Sequence, residues 1–306
     1  MRLVFAGTPS VAVPALQAMA ASDHDIVAVV TRNDAELGRK RVVTPSPVAV
    51  AAEQLGLATI KANRLDESVT ERVTDLRPDL GVIVAYGGLV REPLLSTPRL
   101  GWVNLHFSLL PRWRGAAPVQ RALIAGDQVT GAAVFQLVPE LDAGAVFGEL
   151  AYDIGPDETA GDVLDALSSL GAQLLTDTVD GLAAGTAHAT EQNGEPTPAP
   201  KLSLDDAHID FAADAQSAYD RIRGVTPEPG AFALLGEHRF KILSAAQAPD
   251  ARPLPPRRVE LSDKRVVVGT STTPIQLVTV QPAGKRPMSA ADWWRGLADT
   301  NGIELS

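Results

Sequence analysis

From residue 2 to residue 184 the sequence alternates short runs of β-branched and apolar residues with segments of helical periodicity. That alternation narrows the fold more than any other feature. Arg2–Ala6 reads as a buried strand and Gly7-Thr8-Pro9-Ser10 as a turn, with Ser10 placed to cap a helix over Val11–Ala21. Ile26–Thr31 reads as a second strand, Arg32–Thr44 as a polar loop, and Pro47–Leu55 as a helix stopped by Gly56. Thr59–Ile60 begins a short third strand, Asp66–Leu76 is helical, and Leu80–Tyr86 is a continuously apolar strand. Further strands are expected at Gly101–Phe107, Ala132–Val138 and Gly144–Ile154, with helices at Ala117–Ala125 and Thr159–Ala184. Strand, helix and strand at this spacing imply βαβ units, hence a mostly parallel sheet with helices on both faces.

The composition then shifts. Gly194–Pro200 holds three prolines in seven residues, which a helix interior does not tolerate. Beyond it come a short helix near Asp214–Arg223 and strand-like runs at Ala231–Leu235, Arg239–Ser244, Arg257–Leu261, Arg265–Gly269 and Ile275–Gln281. Many short strands separated by Gly and Pro predict a small antiparallel barrel or sandwich. The expected organisation is a first domain over 1–185, a linker over 186–200 and a second domain over 201–306.

The chain has no cysteine, which excludes disulfides, a thiolate nucleophile and Cys-ligated metal sites. Leu3–Ser22 loosely mimics a signal peptide, but Gly7–Ser10 and Pro14 interrupt its apolar run. No stretch approaches the roughly 20 apolar residues of a membrane span. A cytoplasmic protein is expected. The first strand-to-helix turn carries one glycine and a proline instead of G-x-G-x-x-G, and no G-x-x-x-x-G-K-[ST] occurs, so neither NAD nor ATP is indicated.

The chemistry concentrates in Asn104–Pro118, directly after the strand ending near Val103. In an open α/β sheet, ligands bind outside the carboxyl ends of strands, which is where this run falls. Asn104 and His106 are two residues apart, so on an extended segment their side chains face the same way. An amide donor beside an imidazole can support negative charge on a carbonyl oxygen during acyl transfer. Asp142, in the turn Leu141-Asp142-Ala143-Gly144, either orients His106 or serves only the turn. His24, His188, His208 and His238 form no ligand-spaced cluster.

The run N-x-H-x-S-L-L-P-x-x-R-G-x-x-P over Asn104–Pro118 resembles the signature of formyltransferases that use 10-formyltetrahydrofolate. Ala6-Gly7-Thr8-Pro9, Pro45–Val48, Val82–Gly87 and Gln281–Lys285 extend that resemblance along nearly the whole chain, toward the members that formylate initiator methionyl-tRNA. The resemblance implies an α/β, Rossmann-like catalytic domain with a mostly parallel sheet, followed by a smaller all-β, OB-like barrel. It implies transfer of a formyl group from 10-formyltetrahydrofolate to the α-amine of methionine on initiator tRNA, by a monomer and without a metal. Asn104 and protonated His106 would stabilise the oxyanion, and Asp142 would tune the imidazole and help move the proton. Val84, Tyr86, Gly87, Gly88 and Leu89, with Ser108, Leu109, Leu110 and Pro111, would line the folate site, and Ser108 fixes the loop or serves a plain turn. A small amine as acceptor is the competing reading of the same chemistry, and a non-catalytic RNA- or folate-binding protein the reading of another class.

Charge bears on the acceptor. The 37 acidic against 27 basic residues give a formal net charge of −10, which taken whole argues against a nucleic-acid partner. Within residues 221–295, however, 12 cations face 6 anions. Lys241, Lys264, Arg265, Lys285 and Arg286 are candidates to meet RNA there, while Trp293 and Trp294 stack on bases or pack. Arg39, Lys40 and Arg41 form a basic centre in the first loop, and the resemblance places that loop near the acceptor stem with Arg39 as its key arginine.

Overall fold

Strands without a polar face need cover on both sides, and the first half of the chain meets that need with a central parallel sheet. The computed structural model describes residues 1–38 and 41–306. In chain order its first elements are β1 (Arg2–Gly7), α1 (Val13–Ala20), β2 (Asp25–Thr31), β3 (Ala35–Leu37) and β4 (Val42–Thr44). There follow α2 (Pro47–Gln54), β5 (Thr59–Lys61), α3 (Glu67–Asp75), β6 (Leu80–Val84) and β7 (Trp102–His106). The run continues through β8 (Arg114–Gly115), α4 (Pro118–Ile124), β9 (Val129–Gln136), β10 (Val146–Asp153), α5 (Ala160–Ala184) and β11 (Pro198–Ala199). The main sheet has the order β10-β9-β7-β6-β1-β2-β5. β1, β2, β5, β6 and β7 pair in parallel, and β9 runs antiparallel to β7. β6 is buried along its whole length, as its lack of any polar residue requires.

Two local expectations change. Ser10 caps nothing: it opens a single 3-10 turn, and α1 starts at Val13 with Pro14 in its first turn. The chain already bends at Pro9, so Ser10 lies inside the turn instead of before it. The caps of α2 and α3 are Ser46 and Asp66, whose side chains accept from the backbone N–H groups of Ala49 and Val69. The polar loop after β2 contains the antiparallel ribbon β3–β4, in which Glu36 opposes Val43. Arg39 and Lys40 lie outside the described residues.

The chain forms two compact units, residues 1–116, 130–152 and 164–199 in one, and 117–129, 153–163 and 200–306 in the other. The second unit holds α4 and α6 (Ala215–Gly224), then β12 (Phe232–Leu235), β13 (His238–Gln247), β14 (Val259–Ser262), β15 (Arg265–Val268), β16 (Ile275–Pro282), β17 (Met288–Ser289) and α7 (Ala290–Arg295). Its antiparallel sheet follows the path β12-β13-β16-β15-β14, with β17 on β16. The sheet is a curled half-barrel whose path ends at β12 and β14. Residues 303–306 join those edges: Leu234 and Ser306 exchange backbone hydrogen bonds, Val259 donates to Ile303, and Leu305 donates to Arg257. Phe211, Phe240, Val268, Leu277 and Trp293 fill the core, with the rings of Phe240 and Trp293 4.5 Å apart. Trp294 packs against the same core, so the pair of tryptophans is used for packing.

Candidate active site

β7 brings the chemistry to the end of the sheet. Its register against β9 sets Asn104 opposite Phe135 and His106 opposite Ala133, so Trp102, Asn104 and His106 share one face. Trp102 is buried, Asn104 is partly exposed, and His106 sits at the strand's end with 6% of its surface accessible. Nε2 of His106 lies 2.9 Å from the Trp113 carbonyl oxygen, which can only accept, so Nε2 carries the proton. Nδ1 is left facing Asp142, whose Oδ2 is 3.9 Å away. Phe135 stands edge-on to the imidazole at 6.3 Å. Burial pushes the His106 pKa below its ordinary 6.5, while the Asp142 charge and the bond to Trp113 oppose that shift. The net direction favours the neutral ring over the imidazolium in the free protein. The ring is poised to take a proton on Nδ1 with a carboxylate waiting beside it.

Asp142 reaches this position from a strained turn. Its backbone has a φ of +48°, in the left-handed region that a non-glycine residue occupies only when its surroundings enforce it. The enforcement is visible. Oδ2 accepts the backbone N–H of Gly115 at 2.8 Å, tying the turn to the loop that follows His106. Gly144 packs so close to the Gln136 carbonyl that an added Cβ would stand 1.7 Å from its oxygen. Residues 190–199 complete the hold. Gln192 Nε2 donates to the carbonyls of Asp142 and Gly144 at 2.8 and 2.9 Å, and its Oε1 accepts from Arg114 at 2.6 and 3.1 Å. Thr197 Oγ1 accepts from the Trp113 N–H, and β11 pairs with β8. Sequence reading missed Gln192 and Thr197, because they sit in a Pro-rich polar stretch whose local pattern is that of a linker.

The comparisons with known proteins settle the family. Residues 1–179 match the model described as "Formyl transferase", and residues 201–298 match "Formyl transferase, C-terminal domain". The chain belongs to the formyl transferase family. A relative from Leifsonia xyli subsp. xyli, named methionyl-tRNA formyltransferase, is 67% identical over 97% of each chain. One of the same name from Clavibacter sepedonicus is 60% identical, again over 97% of each. Among solved structures, the methionyl-tRNA formyltransferase from Clostridium thermocellum superposes with a TM-score of 0.58 at 18% identity, covering 81% of this chain and 94% of that one. An N-formyltransferase from Helicobacter canadensis, in complex with folinic acid and dTDP-3-aminofucose, gives 0.69 at 16% identity over 92% and 98%. At these identities the structural likeness speaks for the fold.

The other residues expected to line the folate site or to meet RNA divide by exposure. Val84 is fully buried, and Tyr86 is too, its hydroxyl donating to the Ala62 carbonyl at 2.6 Å. Both side chains are withdrawn from any ligand. The carbonyl of Tyr86 accepts from Thr8 and that of Gly87 from Arg32, which fixes the strand end. Gly88 and Leu89 are exposed, Leu89 at 62%. Ser108 is wholly buried and donates to the Arg112 carbonyl at 2.6 Å, a loop-fixing bond. Leu110 packs with Ala133 and Phe135, Pro111 is buried, and Leu109 is partly exposed near Gly131. In the second unit Lys241, Lys264, Lys285 and Arg286 are exposed, whereas Arg265 is held by both oxygens of Asp250. Arg41 is exposed, 3.4 Å from Glu36. A cavity of about 720 Å³ also lies in the second unit, but the polar groups around it engage one another, Gln216 with Asp220 and Gln247 with Gln216. No helix among the described residues is long and apolar enough to cross a membrane.

Proposed function

We propose that this chain transfers the formyl group of 10-formyltetrahydrofolate to the α-amine of methionine carried by initiator tRNA. The observation that carries the reading is the His106–Asp142 pair at the carboxyl end of β7, in a chain 67% identical to a relative named methionyl-tRNA formyltransferase. The folate supplies the formyl carbon on N10. The strand-end segment Gly87–Leu89, with exposed backbone and an apolar side chain, suits a flat heteroaromatic ring.

The α-amine lone pair forms a bond to the formyl carbon, and the carbonyl π pair moves onto oxygen. Asn104 donates to that oxygen from the face it shares with His106. The attacking nitrogen, now positive, gives its proton to Nδ1 of His106, where Asp142 stabilises the imidazolium. Collapse of the intermediate re-forms the carbonyl and breaks the bond to N10, which takes up the proton. An α-amine already titrates near neutrality, so positioning supplies much of the acceleration. The exposed cations of the second unit, with Arg39, Lys40 and Arg41, meet the tRNA backbone. The enzyme works as a monomer in the cytoplasm.

Incubation with 10-formyltetrahydrofolate and methionyl initiator tRNA is the direct test. Formyl-methionine is the expected product. Transfer to small amines only would replace the reading with small-molecule formylation, and folate binding without transfer would replace it with a binding protein.

A further inference from the structure

We propose that Gln192 is a positioning residue of the reaction centre, one that aims the Asp142 carboxylate at His106 by clasping the turn from behind. The inference deepens the proposed function and rests on it for the identity of the reaction. Gln192 lies between the two family-matched regions, 1–179 and 201–298, in a stretch with the composition of a linker.

The geometry leaves the amide one orientation. Its nitrogen faces two carbonyl oxygens, those of Asp142 and Gly144, and its oxygen faces the Arg114 guanidinium. A flipped amide would oppose acceptor to acceptor on one side and donor to donor on the other. Both amide protons and the oxygen are used, and all the partners belong to the two loops that frame His106. The segment is anchored on either side of Gln192. Thr190 exchanges backbone hydrogen bonds with Val146, and the Arg114 N–H donates to the Thr197 carbonyl. The clasp acts where it is needed: Asp142 holds a left-handed backbone conformation, and its own carbonyl is one of the two acceptors.

An isolated Asp would relax toward an ordinary backbone angle and swing its carboxylate away from Nδ1, and the two carbonyl contacts oppose that rotation. Arg114 joins the clasp to the signature loop, so the turn carrying Asp142 and the loop carrying the Trp113 carbonyl move as one piece. His106 is then hydrogen-bonded at Nε2 and faced at Nδ1 by parts that Gln192 and Arg114 join. The groups facing His106 are the Asp142 carboxylate, the Trp113 carbonyl and the edge of Phe135, and Asp142 is the charged one.

The test compares Gln192→Met, which keeps the length and loses the amide, and Gln192→Glu, which keeps an acceptor for Arg114 and loses both donors. Each is measured alone and combined with Asp142→Asn. For both single variants kcat should fall about 10- to 100-fold, the scale of a misplacement near 1 Å, with KM for 10-formyltetrahydrofolate unchanged. Added to Asp142→Asn, either should cost less than threefold more, because both losses pass through the same carboxylate. NMR titration of the His106 ring in the Gln192→Met protein should show a lower midpoint than in the parent, the ring having lost part of its facing charge. That readout needs no substrate, so it decides the positioning role even if formyl transfer to tRNA is not found. An unmoved His106 titration, or fully multiplicative losses in the double variants, would overturn the proposal. A lower melting temperature with titration and kcat unchanged would reduce Gln192 to a structural brace.

Discussion

Replacing Asp142 by Asn tests the centre without rebuilding it. The amide has the carboxylate's shape and its oxygen can still accept the Gly115 N–H, so the turn keeps its tie and only the charge is lost. At 3.9 Å, with an effective dielectric near 20, a unit charge pair is worth roughly 4 kcal/mol. That bounds the help Asp142 gives a proton arriving on Nδ1. If the proton is about half transferred in the transition state, roughly 2 kcal/mol is lost and the rate falls about 30-fold; full transfer takes the loss to about 1,000-fold. Single-turnover formylation with saturating substrates reads the chemical step directly, and thermal unfolding confirms the fold. A kcat within threefold of the parent would refute the reasoning. So would a change confined to KM, since it would place Asp142 in binding instead of proton transfer.

Acidification should destabilise the protein through His106. Its pKa is lowered on folding, so just below 6.5 the unfolded chain binds the proton that the folded one refuses, and stability falls with pH in that window. The His106→Asn variant should show a shallower loss of stability between pH 7 and 5 in denaturant titrations; an identical slope would mean the ring is solvated. Trp293→Ala empties a core position against Phe240 and should cost about 3–5 kcal/mol in unfolding free energy; a loss below about 1 kcal/mol would show that the site collapses around the gap. Lys285→Ala should raise KM for tRNA, flatten its dependence on salt and leave KM for folate alone; equal effects on both substrates would remove the residue from the RNA surface.

The first half of the fold was legible because strands such as β6 are apolar on both faces and alternate with helical segments at βαβ spacing. Ser10 misled as a capping residue type placed inside a turn that a neighbouring proline had already begun. His106 and Asn104 were found by alternation along one strand, a rule that needs no partner. Asp142 required the resemblance, because the meeting of residues 106 and 142 depends on how β9 and β10 are laid beside β7. Gln192 could not be read at all. Its partners are two carbonyls some 50 residues earlier in the chain and the distant Arg114 guanidinium, and hydrogen bonds to backbone leave no mark in the partner's side chain. The downward shift of the imidazole pKa was equally hidden, since burial of the ring is a property of the assembled site.

The stretch from 190 to 199 also sets an order of events during synthesis. A nascent chain grown as far as residue 185 already contains Asn104, His106, Asp142 and every main-sheet strand, yet the turn bearing Asp142 has nothing behind it. Only when Gln192 and Thr197 clear the ribosome is the tie between Gly115 and Asp142 backed from behind. On the positioning role proposed for Gln192, the aim of the carboxylate is completed after the sheet that carries it, by residues that a domain boundary drawn by composition would discard.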